Sequence, residues 1–126
     1  MAPDTALALA SRFVDLEAMP WMDTPNPGMT VKVIYYDPKT EMLTMLSKLA
    51  PGAGIPEHTH EALEQTFVLE GALVDDEGAC TAGNFVIRAA GSRHAPVAPH
   101  GCTMLVFFMK PTAALRKMLE KRGASA

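Results

Sequence analysis

The chain has 126 residues, 48% hydrophobic and 20% charged, with 11 basic against 14 acidic side chains and a net charge of −3. That describes one globular domain of ordinary size, without the basic surface that nucleic acid requires. No apolar run reaches the ~20 residues of a membrane span. Residues 1–10 are apolar but carry Asp4, no positive charge and too little length for a signal peptide, so a cytoplasmic protein is expected.

Residues 1–12 read as helical or frayed. An extended arm follows over 20–27, with Trp21, Asp23 and three prolines, and turns at Asn26-Pro27-Gly28. Strand-like segments come next, at 31–36, 42–49, 65–69, 72–74, 84–88 and 102–109. Turn signals separate them: Asp37-Pro38, the Pro-Gly-Ala-Gly run at 51–54, Gly71, residues 75–78, Gly83, Gly91 and Pro99-His100-Gly101. Short strands with turns about every ten residues predict an all-β sandwich or barrel. Gly71 is expected to end the strand that follows Glu64. Lys110-Pro111 then opens a terminal helix with Thr112 as its cap. Arg116, Lys117, Lys121 and Arg122 form its polar face, interleaved with Leu115, Met118 and Leu119. The whole reads as a single domain: an arm over 1–30, a barrel over 31–110 and a helix over 111–124.

Cys80 and Cys102 fit a reducing compartment and have no metal-ligand spacing. Cys102 is expected in the core and Cys80 in a turn, partly buried. Nine methionines suggest a plastic apolar interior.

The chemistry gathers at His58-Thr59-His60, with Glu64 four residues beyond and His94 thirty residues after that. In an extended strand, residues 58 and 60 point to one side about 7 Å apart. Both imidazoles can then reach one ion at roughly 2.0–2.1 Å. A carboxylate after a short turn and a histidine from a neighbouring strand would complete a nitrogen/oxygen site. Glu57 and Glu61 lie close enough in sequence to compete with Glu64. Arg93 is expected to pair with a local carboxylate and His100 to lie in a surface turn, while Gln65 and Thr66 are candidates to hydrogen-bond the ligands.

The spacing Gly52, five residues, His58-Thr59-His60, three residues, Glu64, six residues, Gly71 resembles the first cupin motif at every fixed position. The second motif is recognisable in Gly83, Ala89, Gly91 and His94, with Ala89 in place of the family's proline and Ala98 where asparagine is frequent. Within the cupins, the phrases Glu70-Gly71-Ala72, Asp76-Glu77-Gly78, Ala82-Gly83-Asn84 and Gly91-Ser92-Arg93-His94 are similar to the ChrR-like group. That group includes the zinc-binding half of anti-sigma factors, and iron enzymes that cleave diketones or hydroxyacetophenones. The resemblance implies a double-stranded β-helix, the jelly-roll barrel, holding one divalent metal ion through His58, His60, Glu64 and His94. Iron or zinc is expected first, with nickel or manganese as alternatives.

Three functions follow from the resemblance. The first is a mononuclear non-haem dioxygenase acting on a small ketone or enol, with Glu64 either a ligand or a catalytic base. The second is a non-catalytic zinc cupin that senses a small molecule, and the third a cupin enzyme without oxygen chemistry. An anti-sigma role is disfavoured, because residues 1–50 contain no histidine or cysteine for the second zinc site of such factors. The partners expected are a small-molecule substrate or ligand and a second copy of the chain, with residues around 20–36 near the dimer interface.

Overall fold

The computed structural model describes residues 9–121. In chain order the elements are β1 (Met22–Asp23), β2 (Met29–Tyr36), β3 (Leu43–Leu49), β4 (His58–Thr59), β5 (Glu64–Asp75), β6 (Gly78–Thr81), β7 (Phe85–Arg88), β8 (Arg93–His94), β9 (Cys102–Phe108) and α1 (Ala113–Lys121). The strands are rich in β-branched and aromatic residues, and burial alternates along β3, β5 and β9 as a half-buried sheet demands. Leu43, Met45 and Leu49 of β3, Val68 of β5, and Met104, Val106 and Phe108 of β9 point inward and form the core.

One antiparallel wall runs β1-β2-β3-β9-β5, with β7 against the first half of β5 and β6 against the second. The opposite wall is thinner. It consists of the β4–β8 pair and the segments leading to it, tied to β5 through reciprocal backbone bonds of 2.8 Å between Val74 and Val97. The hydrogen bonding does not close into a full cylinder, and the arrangement is the jelly-roll type expected for the chain.

Two expected strands, 65–69 and 72–74, are one continuous strand, and Gly71 does not end it. The register against β9 shifts between Val68 and Glu70, and beyond Gly71 the strand leaves β9 and pairs with β6 on its other edge. Gly71 sits in that bend with φ 76°, where a side chain is disfavoured. Cys80 lies in a strand, buried opposite Leu73, and not in a turn. Cys102 is in the core, where burial pushes its thiol up to about 11; burial raises Cys80 as well, so both thiols stay protonated at neutral pH.

The arm folds back on its own barrel. Trp21 lies against the Lys32 and Lys48 ammonium groups, at 4.6 and 5.7 Å, and Asn26 donates a side-chain hydrogen bond to the Gly54 carbonyl. Residues 1–8, most of the segment expected to be helical or frayed, lie outside the described residues, and 11–15 have no regular structure. Thr112 caps α1, accepting a bond from the Leu115 amide. The helix buries Met118 and Leu119 and is tied to the barrel by Arg116, which bonds Glu41 at 2.7 Å and Glu61 at 3.0 Å.

Candidate metal centre

His58 and His94 stand directly opposite each other in the β4–β8 pair. His60, one residue past β4, is held in the same extended line by bonds from its amide to the Ser92 carbonyl and from the Gly91 amide to its carbonyl. The turn at Gly91 therefore places His94 where the spacing of the first two histidines can meet it. The three rings lie 4.6–4.8 Å apart between centroids. One ligating nitrogen from each falls within 4.8 Å of the others, a group fit to hold a metal ion.

The outer nitrogens fix the tautomers. His58 Nδ1 lies 2.8 Å from the Pro56 carbonyl, which can only accept. His60 Nδ1 lies 3.1 Å from Ser92 Oγ, whose own proton is donated to the Ala89 carbonyl. His94 Nδ1 lies 3.1 Å from the Asp75 carboxylate. Each Nδ1 thus carries the proton, and each Nε2 presents a lone pair to the centre. His58 Nε2 and His94 Nε2 are then 3.1 Å apart. His60 Nε2 is 2.9 Å from Glu64 Oε2 yet buried without a hydrogen bond. Close acceptors of this kind repel unless a positive charge lies between them. Two ligands at right angles, each roughly 2.1 Å from one ion, stand about 3.0 Å apart. The donor set fits a divalent cation.

Glu64 comes from the start of β5 and is buried beside His60, where it accepts a bond from Thr66 at 3.3 Å. Thr66 thus touches the site, whereas Gln65 lies on the opposite face of the strand from Glu64 and Thr66. Glu57 is drawn off by Arg93 at 3.0 Å and Glu61 by Arg116, so neither competes at the centre. His100 lies exposed in its turn.

Spacing gave no sign of Asp75, Arg88 or Ser92. Burial alone would raise the Asp75 carboxyl. Bonds from His94 and from the amides of Glu77 and Gly78, together with the Arg88 charge, outweigh it and hold the group below the usual carboxylate range. Arg88, itself buried, reaches Asp75 at 2.7 Å. His94 is pushed down, chiefly by burial and further by Arg88, which favours the neutral ring that binds metals. Asp75→Asn should lower metal affinity about 10–100-fold, since such partners orient a ligand ring. It should also destabilise the fold by about 3 kcal/mol, because buried Arg88 would keep only the exposed Glu77 carboxylate, 3.7 Å away, as an ionic partner. Competition with a chromophoric chelator measures the first effect; unchanged affinity would show that Asp75 does not orient His94.

The cluster opens into a cavity of about 720 Å³. Met29, Met45, Met104 and Met118 line it with Leu73 and Phe108, and no lysine or arginine is among the residues described there.

Histidines meeting at the mouth of a jelly-roll barrel, with a carboxylate beside them, define a cupin with a cluster of metal-ligating geometry. The chain belongs to the ChrR cupin-like domain family, whose model matches residues 10–112. It is 36% identical over 61 residues to the anti-sigma-E factor ChrR of Cereibacter sphaeroides, a match spanning 48% of this chain and 29% of that relative. In the Rhodobacter sphaeroides complex of SigE with the anti-sigma ChrR, the similar chain is 29% identical with a TM-score of 0.65. That match covers 75% of this chain and 51% of the other. An acetylacetone dioxygenase of Acinetobacter johnsonii superposes with a TM-score of 0.75 at 18% identity, covering 82% and 76% of the two chains. At that identity the likeness is one of fold.

Proposed function

We propose that the chain holds one divalent metal ion, iron in the active form, and is a mononuclear non-haem dioxygenase for a small uncharged ketone that can form an enol. His58, His60 and His94 would be the ligands, with Glu64 either a fourth ligand or the base. The observation that carries this reading is a cluster of imidazole lone pairs opening into an apolar cavity of about 720 Å³, a volume typical of small-molecule sites. With no lysine or arginine among the described residues of its wall, the cavity offers a carboxylate or phosphate no counter-charge from them away from the centre. A neutral 1,3-diketone or 2-hydroxyacetophenone suits it better.

When bound, the ion supplies Lewis acidity toward a chelating enolate and redox chemistry toward oxygen. The chain does the rest. The methionine wall excludes water and packs the alkyl groups of the substrate. In the role of base, the Glu64 carboxylate, oriented by the Thr66 hydroxyl, would accept the proton released as the ketone becomes an enolate. Asp75, Ser92 and the Pro56 carbonyl hold the three rings in the tautomer that leaves Nε2 free.

The similarity to an anti-sigma factor favours a second reading, a zinc cupin that senses a small molecule or engages a protein. Elemental analysis of protein purified without added metal, with oxygen uptake after anaerobic iron loading, separates the two. Stoichiometric iron and oxygen consumption on adding 2,4-pentanedione or 2-hydroxyacetophenone is the expected result. Stoichiometric zinc that iron does not displace, with no uptake, would give the chain to the second reading.

A further inference from the structure

Among the described residues, three buried side-chain polar atoms have no hydrogen-bond partner: His60 Nε2, Arg88 Nε and Ser47 Oγ. The first faces the histidine centre, and Arg88 meets Asp75 and Glu77 through its other nitrogens. Ser47 has no such account. It stands in β3 between Val31 of β2 and Met104 of β9, both buried and apolar. A hydroxyl left unbonded in such surroundings is destabilising, and an alanine there would carry no such cost.

Ser47 lines the cavity that opens from the histidines. The other polar side chains of that wall, away from the centre, are already engaged or open to solvent. Thr24 bonds the Asn26 and Met29 carbonyls, Asn26 the Gly54 carbonyl, and Thr112 the Leu115 amide. Glu57 and Glu61 are held by arginines, and Thr59 is exposed. Register also sets Ser47 far from the centre. Glu64 shares a cross-strand row with Phe108 and Leu43, and Ser47 lies four residues further along β3. At the rise of a strand that is about 13 Å along the wall. Met45 and Val106 line the stretch between. A cavity of this volume takes ligands of drug size, well beyond what 2,4-pentanedione fills.

We propose that the ligand is a two-ended ketone, its enolisable end at the histidines and a second oxygen in its tail accepting a hydrogen bond from Ser47. The first half of this rests on the function proposed above; the second rests on Ser47. The distal oxygen is an uncharged carbonyl, of an ester or ketone. A carboxylate beside one hydroxyl, with no cation among the described residues of the wall, would keep most of its desolvation cost. The tail between the two ends is apolar and flexible, as its thioether surroundings are. Because the Ser47 side chain is fully buried, the tail reaches it as Met45 and Met104 turn aside, a change that unbranched methionine makes easily.

The test uses the full chain loaded with zinc, which has no redox chemistry, and two probes of equal length. Methyl 6,8-dioxononanoate carries an ester in its tail; undecane-2,4-dione has methylene groups in its place. By calorimetry, Ser47→Ala should weaken binding of the ester probe about five- to tenfold and leave the alkyl probe within about twofold. The thermal midpoint of the ligand-free variant should hold or rise, since the substitution removes an unbonded group. A lowered midpoint would mean that the hydroxyl already has a partner inside the protein, and would overturn the proposal. So would an equal loss for both probes, no loss for either, or a wild-type chain that binds neither. Iron-loaded protein separates this from the dioxygenase reading. Oxygen uptake with both probes, and no discrimination lost in Ser47→Ala, would keep the dioxygenase and remove the role of Ser47. Discrimination that depends on Ser47, with no uptake, would keep Ser47 as the distal contact and remove the dioxygenase.

Discussion

His60→Ala is expected to yield a folded protein that no longer retains metal. Its ring is almost fully buried, with Nδ1 bonded to Ser92 and Nε2 facing Glu64 and the other two histidines. Alanine removes one of the three converging nitrogens and opens a void that no nearby donor fills. Loss of an orienting partner alone costs about 10–100-fold in affinity, so loss of the ligand should cost at least ~10³-fold. The apoprotein should lose only about 1–3 kcal/mol, because the barrel core lies elsewhere. The thermal midpoint separates these effects. Added metal should raise it in the wild type, as any ligand specific to the native state does, and leave the variant unmoved. One equivalent of tightly held metal in the variant, by elemental analysis, would remove His60 from the ligand set.

Gly71→Ala should do more damage to the fold than any ligand substitution. A Cβ at this position would lie 2.0 Å from the Gly101 carbonyl oxygen and 2.9 Å from its carbon, both backbone atoms of the neighbouring strand connection. The left-handed φ adds about 1–2 kcal/mol for an alanine. Relief of the overlap would require β5 and β9 to separate where Gly71 pairs with Cys102. A loss above ~4 kcal/mol is expected, a large part of the 5–15 kcal/mol that holds a domain together. Gly52 and Gly83 also have positive φ, but nothing lies within 4 Å of a Cβ there. Alanine at either should cost only about 1–2 kcal/mol. Urea unfolding of the three variants reads the difference. Near-equal losses would mean that the bend at Gly71 yields easily.

The same positions show how much a linear reading carries. His58 and His60 were legible because strand alternation alone puts them on one side, and His94 because the glycine before it announces a turn. The main strands were legible through their β-branched and aromatic residues, and the helix through its period and its Thr112 cap. Asp75 was not, because its role is divided. Oδ1 caps the hairpin turn by accepting from the Glu77 and Gly78 amides, as a turn aspartate does, while Oδ2 reaches His94. Arg88 and Ser92 likewise act across sequence distances that carry no periodic signal. β6, Gly-Ala-Cys-Thr, was hidden by small side chains that form no strong pattern. Gly71 was visible as punctuation, but its reason, a carbonyl from residue 101 occupying the space of its missing side chain, is purely tertiary.

The place of β9 bears on how the molecule comes to exist. It is the last strand among the described residues but lies in the middle of the main wall, between β3 and β5. As the chain emerges from a ribosome, every candidate ligand is made while β3 and β5 still lack their shared partner. The wall therefore forms as one late event, joining segments about sixty residues apart for β3 and about forty for β5. Topologies dominated by such distant pairings fold in milliseconds to seconds. A nascent chain stopped short of Phe108 would have its histidines but no barrel to hold them together.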